Sequence, residues 1–165
     1  LKADSAYQGN ISFVNYVEGI YVGYKFYETA ADEGFLKYED HIQYPFGYGL
    51  SYTDYTYEDL ELEKGKDSLL VRVTVRNTGK KAGEEITQCY VQMPCAKRVR
   101  PVRELKAFAK TALKPGEARQ VVLEIAYDSL GYYDWDMNWV SYEGKLNVFV
   151  GGNVRDTLEK ELLLR

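Results

Sequence analysis

Asp134-Trp135-Asp136 is the most suggestive arrangement of reactive side chains in the chain. Two carboxylates close together can divide acid, base and nucleophilic roles between them, so the pattern suggests a catalytic site. In an extended segment, however, both aspartates lie on one face and the tryptophan ring lies on the other. A turn just after Gly131 accounts for the same residues without any chemistry. We therefore predict a structural role for both aspartates.

The same region contains the densest cluster of aromatic residues. Trp135 and Trp139 lie near Tyr132, Tyr133 and Tyr142 in the sequence, and together they look like an exposed group. Such rings could stack on the C–H faces of a sugar, which makes the two tryptophans candidate carbohydrate contacts. Packing in a core or at an interface is the simpler explanation, because these side chains combine a large apolar area with a polar tip. The chain has 16 tyrosines, which favours an extensive interdomain surface over an independent sugar platform.

A short basic run, which includes Lys97, Arg98, Arg100 and Arg103, lies in and just after a predicted loop bounded by Pro94 and Pro101. A solvated loop is the simpler interpretation of this run, and an anion site is the alternative. Loops often carry function, so we select Arg98 and Arg100 as candidate contacts with a neighbouring domain or with a substrate entrance.

Composition excludes several classes of partner and cofactor. The formal net charge of −4 argues against nucleic acid, and no stretch approaches the roughly 20 apolar residues that a membrane span requires. His41 is the single histidine, so a histidine-rich metal site is not expected. Cys89 and Cys95 are expected to be reduced, which fits a cytoplasmic location, and the sequon at Asn10 would matter only in a secreted protein. We expect no metal and no cofactor.

From residue 53 onward, apolar and polar residues alternate in short segments separated by turn residues. The clearest example is residues 69–76, where Leu69, Val71, Val73 and Val75 alternate with mostly polar neighbours. Comparable segments lie at 55–62, 87–93, 104–113, 120–125, 145–150 and 158–164. About seven strands without a sizeable helix predict an all-β, fibronectin type III-like (immunoglobulin-like) β-sandwich.

Residues 1–50 differ from this pattern and are predicted to form an extended connector, with residues 51–165 forming the sandwich. Short strands or extended chain are expected over 13–17 and 19–24, and one or two helical turns at most over 29–38. The chain begins Leu1-Lys2 without a leader sequence, which suggests a piece of something longer. The connector has more aromatic residues than so short a piece can bury in itself, so we expect it to pack against other parts of a protein.

The segment Tyr44-Pro45-Phe46-Gly47-Tyr48-Gly49-Leu50-Ser51-Tyr52-Thr53 joins the two regions. In extended chain, its large residues at 46, 48 and 50 lie on one side, and its small residues lie on the other. A bare glycine face allows another backbone to approach closely. The pattern predicts a seam between two packed bodies, and Tyr48 is a candidate interdomain contact.

The seam closely resembles the segment that leads into the C-terminal fibronectin type III-like domain of the family 3 glycoside hydrolases, the β-glucosidase group. The resemblance extends upstream to residues 16–27 and downstream to 71–85, 101–108 and 113–117, in the same order and at similar spacing. It implies a parent enzyme that hydrolyses terminal β-linked sugars with retention and without a cofactor. It also implies that the partners of this chain are the catalytic barrel and the α/β sandwich domain of that enzyme.

The motifs of that family's nucleophile and acid/base residue are absent from this sequence, so the resemblance implies no catalytic residue here and no activity of the chain alone. Glu18 lies in the family-like segment next to the probable domain junction. It is expected either to bind at the seam, with a backbone N–H group or Lys25 as its partner, or to reach toward the active site of the whole enzyme. Two other functions remain as alternatives: an independent carbohydrate-binding module, and a spacer that docks other proteins.

Overall fold

The computed structural model describes residues 17–165 of the 165-residue chain. The sequon at Asn10 and all but the last residue of the strand predicted over 13–17 lie outside the described residues. The elements, in chain order, are α1 (Tyr24–Asp32), α2 (Tyr38–His41), β1 (Tyr55–Lys64), β2 (Ser68–Asn77), β3 (Gly83–Gln92), β4 (Glu104–Leu113), β5 (Ala118–Ala126), a 3₁₀ turn (Tyr127–Leu130), β6 (Tyr132–Tyr133), β7 (Trp139–Val140), β8 (Gly144–Gly151) and β9 (Thr157–Leu164).

The long strands form two antiparallel sheets that pack face to face. One sheet has the order β1-β2-β5 and the other has the order β4-β3-β8-β9, while β6 and β7 form a separate short ribbon. The seven predicted strands correspond to the seven long strands, and the all-β sandwich is confirmed.

The core lies between the sheets, where the alternation of the sequence places the apolar residues. Leu69, Val71, Val73 and Val75 of β2 are fully buried. Val148 of β8 is also fully buried and belongs to the same cluster from the opposite sheet. At about 25 cal/mol per Å² of apolar surface removed from water, such side chains supply most of the driving force for folding.

The outer face of the four-stranded sheet is also covered, which the alternating pattern does not indicate. Tyr90 of β3 and Phe149 of β8 point away from the central core and yet are buried, in a second cluster with Val154. Tyr24 of α1 lies over this cluster and stacks on Phe46 of the seam, with ring centroids 4.3 Å apart. The connector therefore forms a third layer on the sandwich.

Hydrogen bonds attach helix α1 to the start of β4. The Tyr24 hydroxyl accepts a hydrogen bond from the backbone N–H of Leu105 at 2.9 Å. The Thr29 hydroxyl accepts one from the N–H of Val102 at 3.2 Å. Helix α1 begins at Tyr24, the last residue of the short strand or extended chain predicted over 19–24, and five residues before the helical turns expected from residue 29. The predicted start was wrong because the helix is stabilised by packing on the sheet, and its own sequence has no side-chain cap.

The seam contacts the sheet through Gly47. This residue has a positive φ of 85°. It lies in a turn that is closed by a hydrogen bond from the Tyr48 N–H to the Pro45 carbonyl. The Gln88 side chain lies against Gly47 so closely that a Cβ atom there would collide with it, whereas nothing lies within 4 Å of a Cβ at Gly49. A close approach is therefore found at Gly47 and not at Gly49, and it is made by a side chain, whereas a backbone was predicted.

Because the seam turns at this point, its large residues do not share one side. Phe46 packs on the sandwich and its carbonyl accepts a hydrogen bond from the Val154 N–H at 2.9 Å, whereas Leu50 is almost fully exposed.

Replacing Gly47 by alanine should destabilise the protein by about 1–3 kcal/mol, because the new Cβ meets the Gln88 side chain at a backbone angle that disfavours L residues. Gly49→Ala is the matched control and should change stability by no more than about 0.5 kcal/mol. Urea unfolding followed by circular dichroism measures both. Equal losses in the two variants would show that the seam does not depend on the contact at Gly47.

Candidate functional site

The carboxylate of Asp134 caps the turn between β6 and β7. Its Oδ1 accepts hydrogen bonds from the backbone N–H groups of Asp136 and Asn138, both at 2.9 Å. These bonds, chiefly that from Asn138, lower the pKa of Asp134 below its ordinary value. Met137 in the same turn has a positive φ of 62°. The structure gives Asp134 a turn-forming role, in line with the structural prediction.

Trp135 is at the tip of this turn and is 78% exposed. The Arg98 guanidinium lies 3.7 Å from the centroid of its ring, so one face of the indole is covered by a cation. Trp139 is half exposed and is contacted edge-on by Tyr133, with centroids 5.0 Å apart. These four residues form the aromatic tip of the molecule.

Tyr132 and Tyr142 do not belong to this exposed group, in line with the core packing that the sequence analysis favoured. Both are buried in the central core. Their hydroxyls accept hydrogen bonds from the backbone N–H groups of Lys97 and Cys95 and so anchor the loop between β3 and β4. The spacing of aromatic residues in the sequence does not separate rings that point inward from rings that point outward.

Arg100 is part of a largely buried ion-pair network. It donates two hydrogen bonds, at 3.0 and 2.7 Å, to the carboxylate of Glu104, and Lys106 lies 3.5 Å from the same group. Glu104 is itself buried, and desolvation lowers the pKa of Lys106. The geometry binds Arg100 to its own domain, whereas Arg98 covers an exposed ring.

Glu18 and Tyr48 lie on exposed parts of the connector. Glu18 lies on an exposed turn, in which its carbonyl oxygen accepts a hydrogen bond from the Tyr21 N–H. Tyr48 is about half exposed and stacks against Tyr44, with centroids 4.9 Å apart. Leu50 and Tyr52 follow on the same segment and are almost fully exposed.

Glu18 lines a large apolar groove beside helix α1, which we call the apolar groove. It has a volume of about 850 Å³ and brings the connector together with the loop between β3 and β4. Phe35 and Val99 line it and are 83% and 82% exposed. The remaining lining residues are Val17, Tyr21, Gly23, Phe26, Tyr27, Thr29, Ala30 and Glu33.

Glu28 is the buried carboxylate of the connector, and the sequence analysis missed it. It is 4% exposed, and its Oε2 lies 2.9 Å from Nε of Arg155, in the turn between β8 and β9. The Arg155 guanidinium also lies 3.7 Å over the ring of Tyr38. Burial and the neighbouring carboxylate of Glu28 raise the pKa of Tyr38 to about 12. The signal available in the sequence was the position of Glu28 beside Tyr27 in an aromatic-rich segment, because a carboxylate buried there requires a cation as its partner.

Among residues 17–165, no group of three or more histidine, cysteine, aspartate or glutamate side chains is placed to hold a metal ion. No helix in the described part of the chain is long and apolar enough to cross a membrane. Cys89 and Cys95 are both free, and burial raises the pKa of the Cys89 thiol to about 12.

Comparison with known proteins identifies relatives that match most of this chain. Residues 85–154 match the fibronectin type III-like domain family. β-Glucosidase A of Butyrivibrio fibrisolvens is 35% identical over 167 residues, which cover 88% of this chain and 19% of that protein. Thermostable β-glucosidase B of Acetivibrio thermocellus is 36% identical over 160 residues, which cover 94% of this chain and 20% of that protein.

A solved structure shows the same fold. β-Glucosidase 3B from Thermotoga neapolitana, in complex with α-D-glucose, superposes with a TM-score of 0.79 and 39% identity over 90% of this chain and 20% of that one. The chain therefore spans about a fifth of the length of the relatives that it matches.

The two candidate arginines should differ in their effect on stability. Arg100→Met should reduce the free energy of unfolding by about 2–4 kcal/mol, because it leaves the buried Glu104 carboxylate with Lys106 alone. Arg98→Met should cost no more than about 1 kcal/mol, since it removes a cation over an exposed ring and a long hydrogen bond, 3.5 Å, to the Asp134 carbonyl. Urea unfolding compares the two, and an equal loss would contradict the distinction drawn from the structure.

Proposed function

Because this chain belongs to the C-terminal, fibronectin type III-like region of the family 3 β-glucosidases, we propose that it is a non-catalytic module that packs against and stabilises the catalytic domains of such an enzyme. The parent reaction is hydrolysis of terminal β-linked sugars with retention, carried out by two carboxyl groups about 5–5.5 Å apart in the catalytic domains. The partners are the catalytic barrel and the α/β sandwich domain.

The observation that carries the proposal is the exposure of the apolar groove. A water-soluble surface rarely keeps a large contiguous apolar patch uncovered, and such patches mark contact sites. Phe35 and Val99 come from the connector and from the loop between β3 and β4, so two separate segments build one surface. The relatives are about five times as long as the chain, which leaves ample protein to cover it.

The charges at the groove restrict what can cover it. The carboxylates of Glu18 and Glu33 are among its lining groups. A covering element that presents apolar side chains flanked by lysine or arginine would satisfy both the rings and the carboxylates. Tyr48, Leu50 and Tyr52 are further exposed side chains at the end of the connector, and we propose that the catalytic domains cover them as well.

A carbohydrate-binding role is the second candidate, and the exposure of Trp135 favours it. One face of that ring is free, since Arg98 covers the other, so a sugar could stack on a single side. The contact area is small for a free-standing module, which is why we rank it below the accessory role. We also propose a cytoplasmic location, which the two free thiols support.

Association with the rest of the enzyme should depend on the apolar groove. The barrel and α/β sandwich region of the parent, expressed separately, should bind this chain and gain thermal stability and β-glucosidase activity from it. Phe35→Ser should weaken binding by about tenfold or more, because it removes an exposed ring from the centre of the contact. Calorimetric titration measures the affinity.

Trp135→Ser is the matched control, since it removes an equally exposed ring from the aromatic tip and should leave the association unchanged. No association of the unmodified chain, or an equal loss in both variants, would refute the accessory role as proposed.

The chain alone should not hydrolyse aryl β-glucosides. Activity of the purified chain that disappears on Asp134→Asn would contradict the non-catalytic assignment. Because the Asp134 carboxylate caps a turn, its replacement could also disturb the fold. Asp136→Asn keeps that carboxylate and should be measured as well, so that a loss of catalysis can be distinguished from a loss of the turn.

A further inference from the structure

The seam is attached to the sandwich on both sides of a short exposed stretch. On one side, the Phe46 carbonyl accepts a hydrogen bond from the Val154 N–H at 2.9 Å. On the other side, Thr53 is buried, and its hydroxyl donates a hydrogen bond to Oδ1 of Asn77 at 2.6 Å. Residues 48–52 lie between these two attachments, and we call them the seam loop.

The seam loop presents large apolar side chains to solvent. Each of its residues is exposed. Leu50 and Tyr52, at 89% and 90%, are the most exposed large apolar side chains of residues 17–165. Single exposed apolar residues are ordinary on protein surfaces. Two of them so close together in the sequence place a considerable apolar area in water, and burial at an interface would remove that area from water.

The attachments on both sides hold the loop before any partner binds. Ordering a free loop at an interface costs free energy, and a loop that is already held loses less conformational freedom on binding. A Cβ atom at Gly49 would have nothing within 4 Å, so the sandwich itself does not pack against this part of the loop. The seam loop is therefore suited to presenting Leu50 and Tyr52 to another protein surface.

The surface around Leu50 is acidic. Leu50 lines a cavity of about 610 Å³ between the seam, β3 and the turn that joins β8 to β9, and none of the described lining residues is lysine or arginine. The charged members of the lining are the carboxylates of Asp54, Glu84, Glu85 and Asp156. Lys110 pairs with Glu84 at 2.5 Å, which leaves the surface with a net negative charge. This charge favours a partner surface that carries lysine or arginine.

We propose that the seam loop inserts Leu50 and Tyr52 into an apolar pocket on the catalytic part of the enzyme, with lysine or arginine at the rim of that pocket. This contact rests on the proposed accessory role and adds a second point of attachment to it. The apolar groove receives side chains from the partner, whereas the seam loop supplies side chains to it. The partner surface therefore carries both a projection and a pocket.

Association of this chain with the separately expressed barrel and α/β sandwich region tests the contact by calorimetric titration. Leu50→Ser should weaken the association by about tenfold, because the burial of the leucine side chain is lost. Tyr52→Ser should cause a similar loss. Leu163→Ser is the matched control, since it removes a half-exposed leucine from β9, and it should leave the affinity unchanged. Circular dichroism of each free variant shows that it is folded.

The acidic surroundings of Leu50 should give the association a dependence on charge. Asp54→Lys should weaken it by about tenfold, because the new cation meets the cations at the rim of the pocket. Asp67→Lys changes an exposed carboxylate in the turn between β1 and β2 and should have no effect. Added salt should weaken the association of the unmodified chain more than that of Asp54→Lys.

Hydrogen exchange of the unmodified protein locates the contact without any substitution. The amides of residues 49–52 should exchange quickly in the isolated chain and slowly in the complete enzyme. Fast exchange of these amides in the complete enzyme would overturn the proposed contact, whichever variants fold. An unchanged affinity of Leu50→Ser, beside a weakened Phe35→Ser, would overturn this contact alone and leave the accessory role standing. No association of the unmodified chain would overturn both.

Discussion

The four-stranded sheet of this module has two apolar faces, and the rest of the architecture follows from the need to cover both. The inner face packs on the three-stranded sheet, as in any β-sandwich. The outer face carries Tyr90 and Phe149, which would lie in water without the connector. Covering them places Tyr24 over the sheet, brings Gly47 against Gln88 and sets Glu28 beside Arg155. The apolar groove flanks helix α1, so its position derives from the same requirement.

The sandwich was predictable because its signal is local and periodic. Every long strand coincides with an alternating segment, since one face of each strand meets a continuous apolar core. The third layer was not predictable in this way. Gln88 and Tyr90 occupy positions that alternation assigns to solvent, and only the partner that covers them makes them interior. The start of helix α1 was misplaced for the same reason, because distant residues stabilise the helix.

The features of the candidate site also differ in whether the sequence could predict them. The turn-forming role of Asp134 depends on backbone groups two and four residues away, and it was anticipated. A close approach at a seam glycine was also anticipated, but its partner Gln88 was not, because the two residues lie far apart in the sequence. The role of Arg100 depends on its pairing with the buried Glu104, and that of Glu28 depends on Arg155, near the other end of the chain. Ion pairs follow no periodic pattern in the sequence. The charged residues can be read from the sequence, but which of them pair with each other cannot.

The position of Arg155 has a consequence for synthesis. Within this part of the protein, the connector is synthesised before the sandwich, and the β8–β9 turn that neutralises Glu28 follows six of the seven long strands. Until that hairpin forms, the outer face of the four-stranded sheet is incomplete, and contacts so distant in the chain form slowly. The aromatic side chains of the connector thus stay uncovered while the sandwich is translated, and chaperone occupancy of this segment would end when the β8–β9 hairpin closes.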